Sequence, residues 1–187
     1  MRKLVVTENI TLDGVIEALD GWFTPSGADG DDATDIEQAQ REHMRAADAV
    51  LLGRVTYEEF ESYWPHQTDD TTGITDYLNR TTKYVVSGTL TEPSWENTVV
   101  LGGPLADAVA AVKSLDGGDI VATGSVSLVQ SLVEAGLVDE YRLFVYPVVL
   151  GRGRRLFPSG VSHTSLRLGE ARAFRSGIVL LRYLSAS

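Results

Sequence analysis

Short apolar runs alternate with amphipathic segments along about the first three quarters of the chain. Runs rich in Val, Ile and Leu between turn residues are typical of buried strands, whereas apolar positions three or four residues apart favour helices. These patterns predict strands at residues 3–10, 49–53, 83–88, 97–103 and 117–124. They predict helices at residues 35–48, 56–64, 73–82, 104–115 and 125–137. Strands that alternate with helices in this way indicate a parallel sheet with helices on its faces.

The pattern changes after Val138, where a long strand-like run covers residues 139–151. Two further strand-like segments follow, at residues 164–174 and 177–185. They are joined at the sequence Arg-Ser-Gly, which predicts an antiparallel hairpin. The predicted fold class is α/β, with a mixed, mainly parallel central sheet, antiparallel C-terminal strands and helices on both faces. Because the chain has 187 residues and no long linker, we expect one domain over residues 1–187.

Composition and charge narrow the possible functions. The formal net charge of −10 would repel a nucleic-acid backbone, so no nucleic-acid partner is expected. No apolar run reaches the roughly 20 residues of a membrane-spanning helix, and the first residues lack a secretory apolar segment, so a cytoplasmic protein is the default. The chain has no cysteine for thiolate chemistry. His43, His66 and His163 show no metal-ligand spacing, so no metal site is expected.

Three predicted strands end in a glycine that is followed by a helix or a turn: Gly53, Gly88 and Gly124. The C-terminal ends of parallel strands share one edge of the sheet, and open α/β sheets bind ligands there. A helix that begins at this edge offers free N–H groups to an anion, and Arg54 adds a guanidinium suited to a phosphate. Hydroxyl groups at the same junctions belong to Thr56, Ser87, Thr89, Thr123, Ser125 and Ser127. Together the junctions predict a phosphate-binding edge, although each glycine alone also fits a plain turn.

The sequences at these junctions resemble those of dihydrofolate reductases. The segment "GRVTYEEF" resembles their "G-R-x-T-[WY]-E" segment, and "VVSGTL" resembles a strand-end serine segment. The segment "VATGSVSLVQSLVEAGLVDEYRL" resembles their glycine-rich turn, helix and following strand. The segments "TLDG" and "YPVVLGRGRRLF" are more similar to the reductase domain of RibD, the bifunctional riboflavin-pathway enzyme. The resemblance covers nearly the whole chain in order and implies a dihydrofolate reductase-like three-layer fold.

The resemblance implies an NADPH site. Arg54 corresponds to the residue that meets the 2′-phosphate of the adenosine ribose. The segment that holds a cofactor phosphate at a helix start corresponds to Gly53, Val55 and Thr56. The segment near the adenosine corresponds to Ser87, Gly88 and Thr89. The turn that cradles the pyrophosphate corresponds to Thr123, Gly124, Ser125, Val126, Ser127 and Leu128. Dihydrofolate reductases usually carry a glycine pair in this turn, and the single glycine here is more similar to riboflavin-type members.

Two carboxylates and one aromatic loop are candidates for the chemistry. Asp13, in "TLDG", is a candidate catalytic and substrate-binding residue beside the nicotinamide, and a turn role for this Asp-Gly pair is the alternative. Glu37 lies where dihydrofolate reductases keep their carboxylate, although a glutamate at a helix start also complements the dipole. Trp22, followed by Pro25, resembles the Trp-x-x-Pro loop beside the nicotinamide and is a candidate substrate contact.

A basic cluster in the segment "LGRGRRLF" is a further candidate for binding. Its members, Arg152, Arg154 and Arg155, would meet a substrate phosphate if the substrate carries one, as in the riboflavin pathway. The alternative is a solvated loop with no ligand.

The resemblance implies an NADPH-dependent reductase of a small heterocyclic or ribosylaminopyrimidine-like substrate. A non-catalytic nucleotide-binding or interaction protein that kept the fold is the alternative, because the residues identify no sharp proton donor. A true dihydrofolate reductase is disfavoured by the single-glycine turn and the "TLDG" start. The zinc deaminase domain of RibD is excluded, since it needs cysteine ligands. The apolar run "LFVYPVVL" predicts a homodimer if it forms an exposed sheet edge.

Overall fold

The computed structural model describes residues 1–23, 34–160 and 165–186. The described residues form one eight-stranded sheet and five α-helices. The strands are β1 (Leu4–Thr11), β2 (Ala47–Gly53), β3 (Thr82–Val86), β4 (Thr98–Leu101), β5 (Asp119–Ala122), β6 (Glu140–Tyr146), β7 (Leu166–Ala173) and β8 (Val179–Ser185). The helices are α1 (Thr34–Ala46), α2 (Arg54–Tyr63), α3 (Ile74–Arg80), α4 (Leu105–Ser114) and α5 (Val126–Glu134), and a short 3-10 helix covers Trp64–His66.

The sheet has the strand order β4-β3-β2-β5-β1-β6-β8-β7. Its first six members pair in parallel, whereas β8 runs antiparallel to β6 and β7 antiparallel to β8. The predicted mixed sheet and the predicted C-terminal hairpin are therefore confirmed. We call the side on which β1 to β6 end the carboxyl edge of the sheet.

Helices cover both faces of the sheet, as the alternation of strands and helices predicts. Leu51 of β2 packs with α4 and α5 on one face, and its neighbour Leu52 packs with α2 and α3 on the other. Phe144 of β6 packs against α1 through Ile36 and Ala39. Each face of the parallel strands is thus buried, which explains why those strands appear in the sequence as nearly continuous apolar runs.

Some predicted boundaries differ from the structure. The strand predicted at 83–88 ends at Val86, and the strand predicted at 139–151 ends at Tyr146, before Pro147. A proline cannot donate a hydrogen bond to a neighbouring strand, so it ends the pairing there. The second helix begins at Arg54 rather than at Thr56, and its N-cap residue is Gly53.

The apolar run that predicted a dimer lies inside the sheet. β6 pairs with β1 on one side and with β8 on the other, and Leu143 and Phe144 are both buried within the single chain. The assumption that this run forms an exposed edge is therefore wrong. The C-terminal edge strand is β7, whose side chains are mostly half-buried or exposed. The homodimer itself stays a prediction.

Charged residues are buried together at the amino end of β6. Glu140 is fully buried and Arg142 is 5% exposed. Arg142 donates to Glu140 Oε1 at 2.8 Å and to Asp119 Oδ2 at 2.7 Å. Buried charges are retained in this way because each is paired with an opposite charge. The network lies at the end of the sheet opposite the carboxyl edge.

Candidate active site

The three glycine junctions lie side by side on the carboxyl edge. β2 pairs with β3 up to Gly53 and Val86, and with β5 up to Leu51 and Ala122. A hydrogen bond from the Gly53 amide to Ser125 Oγ, 2.9 Å long, joins the end of β2 to the turn after β5. The structure therefore brings together the segments that the sequence analysis assigned to one phosphate site.

The helices α2 and α5 begin at this edge, and in the described part of the chain neither has a side-chain cap. The Ser125 hydroxyl, at the N-cap position of α5, accepts the Gly53 amide instead of capping its own helix. The first N–H groups of a helix have no partner within the helix, and they carry a partial positive charge. The starts of α2 and α5 therefore present amide donors suited to an anion at the same edge.

The proposed cofactor residues differ in how far their side chains can reach a ligand. Exposed positions are Arg54, Val55, Gly88, Thr89, Gly124 and Ser127, and half-buried positions are Gly53, Ser87 and Thr123. The side chains of Thr56, Ser125, Val126 and Leu128 are buried. Ser125 and Val126 also donate their amides to the carbonyls of Thr123 and Gly124, so an anion at the start of α5 would bind the amides that follow, beginning with that of Ser127.

Glycine is required at the centre of the turn before α5. Gly124 has a φ of +69°, a conformation that side chains rarely adopt, and a Cβ at this position would lie 3.3 Å from Thr56 Cγ2. The close approach of the turn to α2 therefore depends on the missing side chain. Amide donors, hydroxyls and a guanidinium fit a dinucleotide phosphate at this edge, so the residues present are compatible with NADPH.

Arg54 is already engaged in an ion pair. Its Nη1 donates to both carboxylate oxygens of Glu58, one helical turn further along α2, at 2.8 and 2.9 Å. Both side chains are nearly half exposed. Exposed pairs of this kind contribute about 0–1 kcal/mol. A phosphate dianion near Arg54 can therefore displace Glu58 at small cost.

The Asp13 carboxylate holds a turn in place through its hydrogen bonds. Its carboxylate accepts hydrogen bonds from Thr11 Oγ1 at 2.7 Å, from the Gly151 amide at 2.8 Å and from the Leu150 amide at 3.2 Å. The Thr11 hydroxyl and these amides lower the pKa of Asp13 to about 2. These hydrogen bonds match the turn alternative, and a catalytic or substrate-binding role for Asp13 stays a prediction.

Glu37 lies in the first turn of α1. Its polar contact is with its own helix and not with the glycine junctions. Its Oε2 is 3.3 Å from Arg41 Nη2, one helical turn further on. Among the described residues, no hydrogen bond or ion pair joins Glu37 to another candidate residue. These contacts match the alternative in which Glu37 complements the helix dipole.

Trp22 belongs to an aromatic patch at the carboxyl edge. Its indole Nε1 donates to the Glu17 carbonyl at 2.9 Å, and its ring meets Tyr146 edge-on with a 5.4 Å centroid separation. Phe23 meets the same Tyr146 ring edge-on at 5.7 Å. Tyr146 is the last residue of β6 and pairs with Thr11, the last residue of β1. Pro25 lies outside the described residues.

The three arginines of the basic cluster are paired with carboxylates. Arg152 pairs with Asp20, Arg154 donates to Glu17 Oε1 at 2.8 Å, and Arg155 lies 3.9 Å from Asp13. Arg154 also donates to the hydroxyl of Ser127 at 3.1 Å, in the first turn of α5. The cluster therefore joins the segment after β1 to the start of α5, and only Arg154 reaches the proposed phosphate site.

Sequence reasoning missed Glu8, a buried carboxyl at the same edge. Glu8 is 6% exposed, and its Oε1 accepts the Gly124 amide at 2.8 Å. Burial raises the pKa of Glu8 to about 8, against the smaller lowering effect of that amide. A signal was present in the sequence, because Glu8 takes the same face of β1 as the core residues Leu4, Val6 and Ile10.

No metal centre or membrane span is found in the described part of the molecule. Its His, Asp and Glu side chains form no group of three that could hold a metal ion. His163 lies outside the described residues. None of the described helices is both long and apolar enough to cross a bilayer.

Comparison with solved structures shows the same fold in other proteins. A protein from Shewanella sp. PV-4 assigned to riboflavin biosynthesis superposes with a TM-score of 0.70 at 20% identity, over 99% of both chains. A pyrimidine reductase-like protein from Corynebacterium diphtheriae gives a TM-score of 0.64 at 18% identity, over 100% of this chain and 92% of the other. RibD of Acinetobacter baumannii gives 0.58 at 16% identity, over 100% of this chain and 58% of that longer protein.

Sequence comparison identifies the family. The chain is 29% identical to YyaP of Bacillus subtilis over 97% of its own length and 94% of the relative. It is 28% identical to YwjB of the same organism over 96% of both chains. Residues 2–180 match the profile of the RibD C-terminal domain, which is nearly the whole chain. The chain therefore belongs to the RibD C-terminal domain family.

Proposed function

We propose that this protein is an NADPH-dependent reductase of a small heterocyclic or ribosylaminopyrimidine-like substrate. The observation that carries the proposal is the pair of uncapped helix starts, joined by the bond from Gly53 to Ser125, with Arg54 beside them. The names of structural relatives, a riboflavin biosynthesis protein and a pyrimidine reductase-like protein, support the same class of reaction.

Different residues of the chain would bind different groups of this cofactor. Arg54 would leave Glu58 and pair with the 2′-phosphate, since a guanidinium binds a phosphate through two parallel hydrogen bonds. The amide of Ser127, in the first turn of α5, would donate to the pyrophosphate, which would lie beside the turn at Gly124. When bound, NADPH supplies the hydride.

The substrate would lie against the aromatic patch of Trp22, Phe23 and Tyr146. These rings adjoin the ends of β1 and β6, and aromatic walls bind planar heterocycles by stacking and edge contacts. Asp13 would position this side of the site by tying Thr11 to the loop at Gly151, without exchanging its own proton. Hydroxyl and amide groups of a ribosylaminopyrimidine would find partners among the backbone groups at these strand ends.

The test compares NADPH with NADH. We expect NADPH to raise the melting temperature and NADH to raise it much less, because only NADPH carries the phosphate that Arg54 would bind. Arg54→Ala should weaken NADPH at least tenfold, or about 1.4 kcal/mol, and leave NADH nearly unchanged. Arg80→Ala is the matched control, since it removes an exposed positive charge at the end of α3, beside the amino end of β3.

Glu58→Ala supplies a second control. It frees Arg54, so NADPH should bind as well as or better than to the wild type. Equal protection by both dinucleotides, or protection by neither, contradicts the proposal. Oxidation of NADPH above background with a panel of pterins and pyrimidine ribosylamines then measures turnover.

A non-catalytic nucleotide-binding protein is the second candidate, and a specific observation favours it. The pKa of Asp13 is lowered to about 2, which disfavours it as a proton donor, and Glu37 contacts Arg41 of its own helix rather than another candidate residue. Tight NADPH binding without oxidation across the substrate panel would support this candidate. Methotrexate binding at low concentration would instead favour a true dihydrofolate reductase.

We also propose a homodimer. The support is the edge strand β7, whose outer side has no partner strand among the described residues, since an open strand edge favours pairing with another chain. Light scattering at micromolar concentration should give twice the monomer mass of 20.3 kDa. A monomeric mass would refute it.

A further inference from the structure

Glu8 lies where β1 extends beyond its neighbour. β1 pairs with β5 only from Leu4 to Val6, whereas its pairing with β6 continues to Thr11. Glu8 is therefore on a stretch of β1 that has no β5 partner in the described structure. Its side chain enters the face occupied by α4 and α5 and accepts the amide of Gly124, the residue before the N-cap of α5.

Glu8 also differs from the other carboxyls near this edge in having no positive partner. Asp20 pairs with Arg152, Glu17 with Arg154, and Glu58 with Arg54. Asp13 has three donors of its own. Among the described residues, by contrast, Glu8 has the Gly124 amide as its single hydrogen-bond donor, and its second oxygen has none.

We propose that Glu8 controls the affinity of the turn at Gly124 for an anionic ligand: its neutral acid form permits a phosphate to bind, and its ionised form opposes it. The inference rests on the proposed function, which locates a dinucleotide phosphate at this turn. Its consequence is that binding of the phosphate takes up a proton. Glu8 is thus a residue that positions the turn and sets its affinity, and it has no part in the transfer of hydride.

The physical reason is that the two forms of Glu8 make the same hydrogen bond but carry different charge. A protonated carboxyl still accepts the Gly124 amide through its carbonyl oxygen, so the shape of the turn is preserved. An ionised carboxylate puts a full negative charge beside the helix start that would receive the phosphate. Like charges at close range disfavour each other's ionised forms, so bound phosphate holds the proton on Glu8.

Among the described groups around the turn at Gly124, Glu8 is the one whose charge is expected to change with pH. On β1 itself and on the facing strand β6, its neighbours Thr7, Asn9 and Leu143 carry no charge. The turn after β5 and the first residues of α5 contribute hydroxyl and apolar side chains. The arginines at this edge, Arg54 and Arg154, are paired with Glu58 and Glu17. No charged side chain contributes to the raised pKa of Glu8, which is about 8 and comes from burial.

The experiment measures the affinity for NADPH by cofactor fluorescence between about pH 7 and pH 9.5. Ionisation of the 2′-phosphate, near pH 6, lies below this range. The wild type should bind constantly below the pKa of Glu8 and lose up to tenfold in affinity for each pH unit above it. Calorimetry in buffers of different ionisation enthalpy should detect uptake of up to one proton near pH 8.5.

Two variants complete the test. Glu8→Gln keeps the carbonyl acceptor without the charge, so its affinity should stay flat across the range and its proton uptake should vanish. Asp116→Asn removes one exposed negative charge in the turn just before β5, at the opposite end of the sheet, and should retain the wild-type profile. A Glu8→Gln profile parallel to that of the wild type would overturn the inference and leave the proposed function standing. Failure of the wild type to bind NADPH at any pH would overturn both.

Discussion

The burial of Glu8 predicts how the stability of the free protein depends on pH. Glu8 has a pKa of about 8 in the folded chain, raised by burial from an ordinary value of 4.5. A group whose pKa is raised by folding stabilises the folded state fully below its unfolded pKa. That contribution is lost as the pH rises through the folded pKa. The wild type should therefore become less stable from about pH 5 to about pH 8 because of this residue.

The size of the effect follows from the shift. Each pH unit between the two pKa values corresponds to about 1.4 kcal/mol, so the upper limit for Glu8 is about 5 kcal/mol. Local rearrangement and water entry reduce such values, and we expect about 2–4 kcal/mol of pH-dependent difference between the wild type and Glu8→Gln. Glutamine has nearly the same shape and cannot ionise, so the variant should be the more stable protein at pH 9.

Urea denaturation at several pH values measures this difference directly. The free energies of unfolding of the two proteins should diverge with rising pH and become parallel above about pH 8.5. Lys83 also titrates in this range, because burial lowers its pKa to about 8, but its effect has the opposite sign and is shared by both proteins. Parallel curves over the whole range would show that Glu8 ionises normally in the folded chain, and the reasoning would be refuted.

Two further substitutions test the packing around the site and the sheet. Arg142→Met should cost about 3–5 kcal/mol in urea denaturation, because it leaves Glu140 buried with weaker partners, and adding Glu140→Gln should recover part of the loss. An additive double variant would contradict that coupling. Ser125→Ala should cost about 1–3 kcal/mol, because the Gly53 amide loses its acceptor, whereas Ser127→Ala at an exposed position of the same helix should cost far less. Equal losses in the two serine variants would show that the bond to Gly53 contributes little.

Local sequence patterns were sufficient for the order of elements and for one functional edge. Alternating strands and helices required a parallel sheet, and a parallel sheet places the ends of its strands on one side. The positions of Gly53, Gly88 and Gly124 after three buried runs therefore predict one shared edge without any knowledge of strand order. The hydrogen bond between Gly53 and Ser125 confirms that two of these ends are in contact.

Partners from distant parts of the chain decided the chemical state of each candidate side chain. The Thr11 hydroxyl and two amides from a loop about 140 positions later lower the pKa of Asp13 to about 2, whereas burial raises the pKa of Glu8 to about 8. In the sequence both are carboxyls near the end of the first strand, and the "TLDG" motif favours Asp13 as the catalytic candidate. A carboxyl's pKa depends on its burial and donors, which residue type and spacing do not encode.

The sequence by itself determined the fold class, the strand ends and the family resemblance, because periodicity and turn residues act over a few positions. Only the tertiary structure decided that β6 lies inside the sheet, that Arg54 is paired with Glu58, and that Glu8 shares the proposed phosphate turn. Pairing and burial are set by contacts between segments far apart in the chain. Local patterns restrict those contacts but do not select among them.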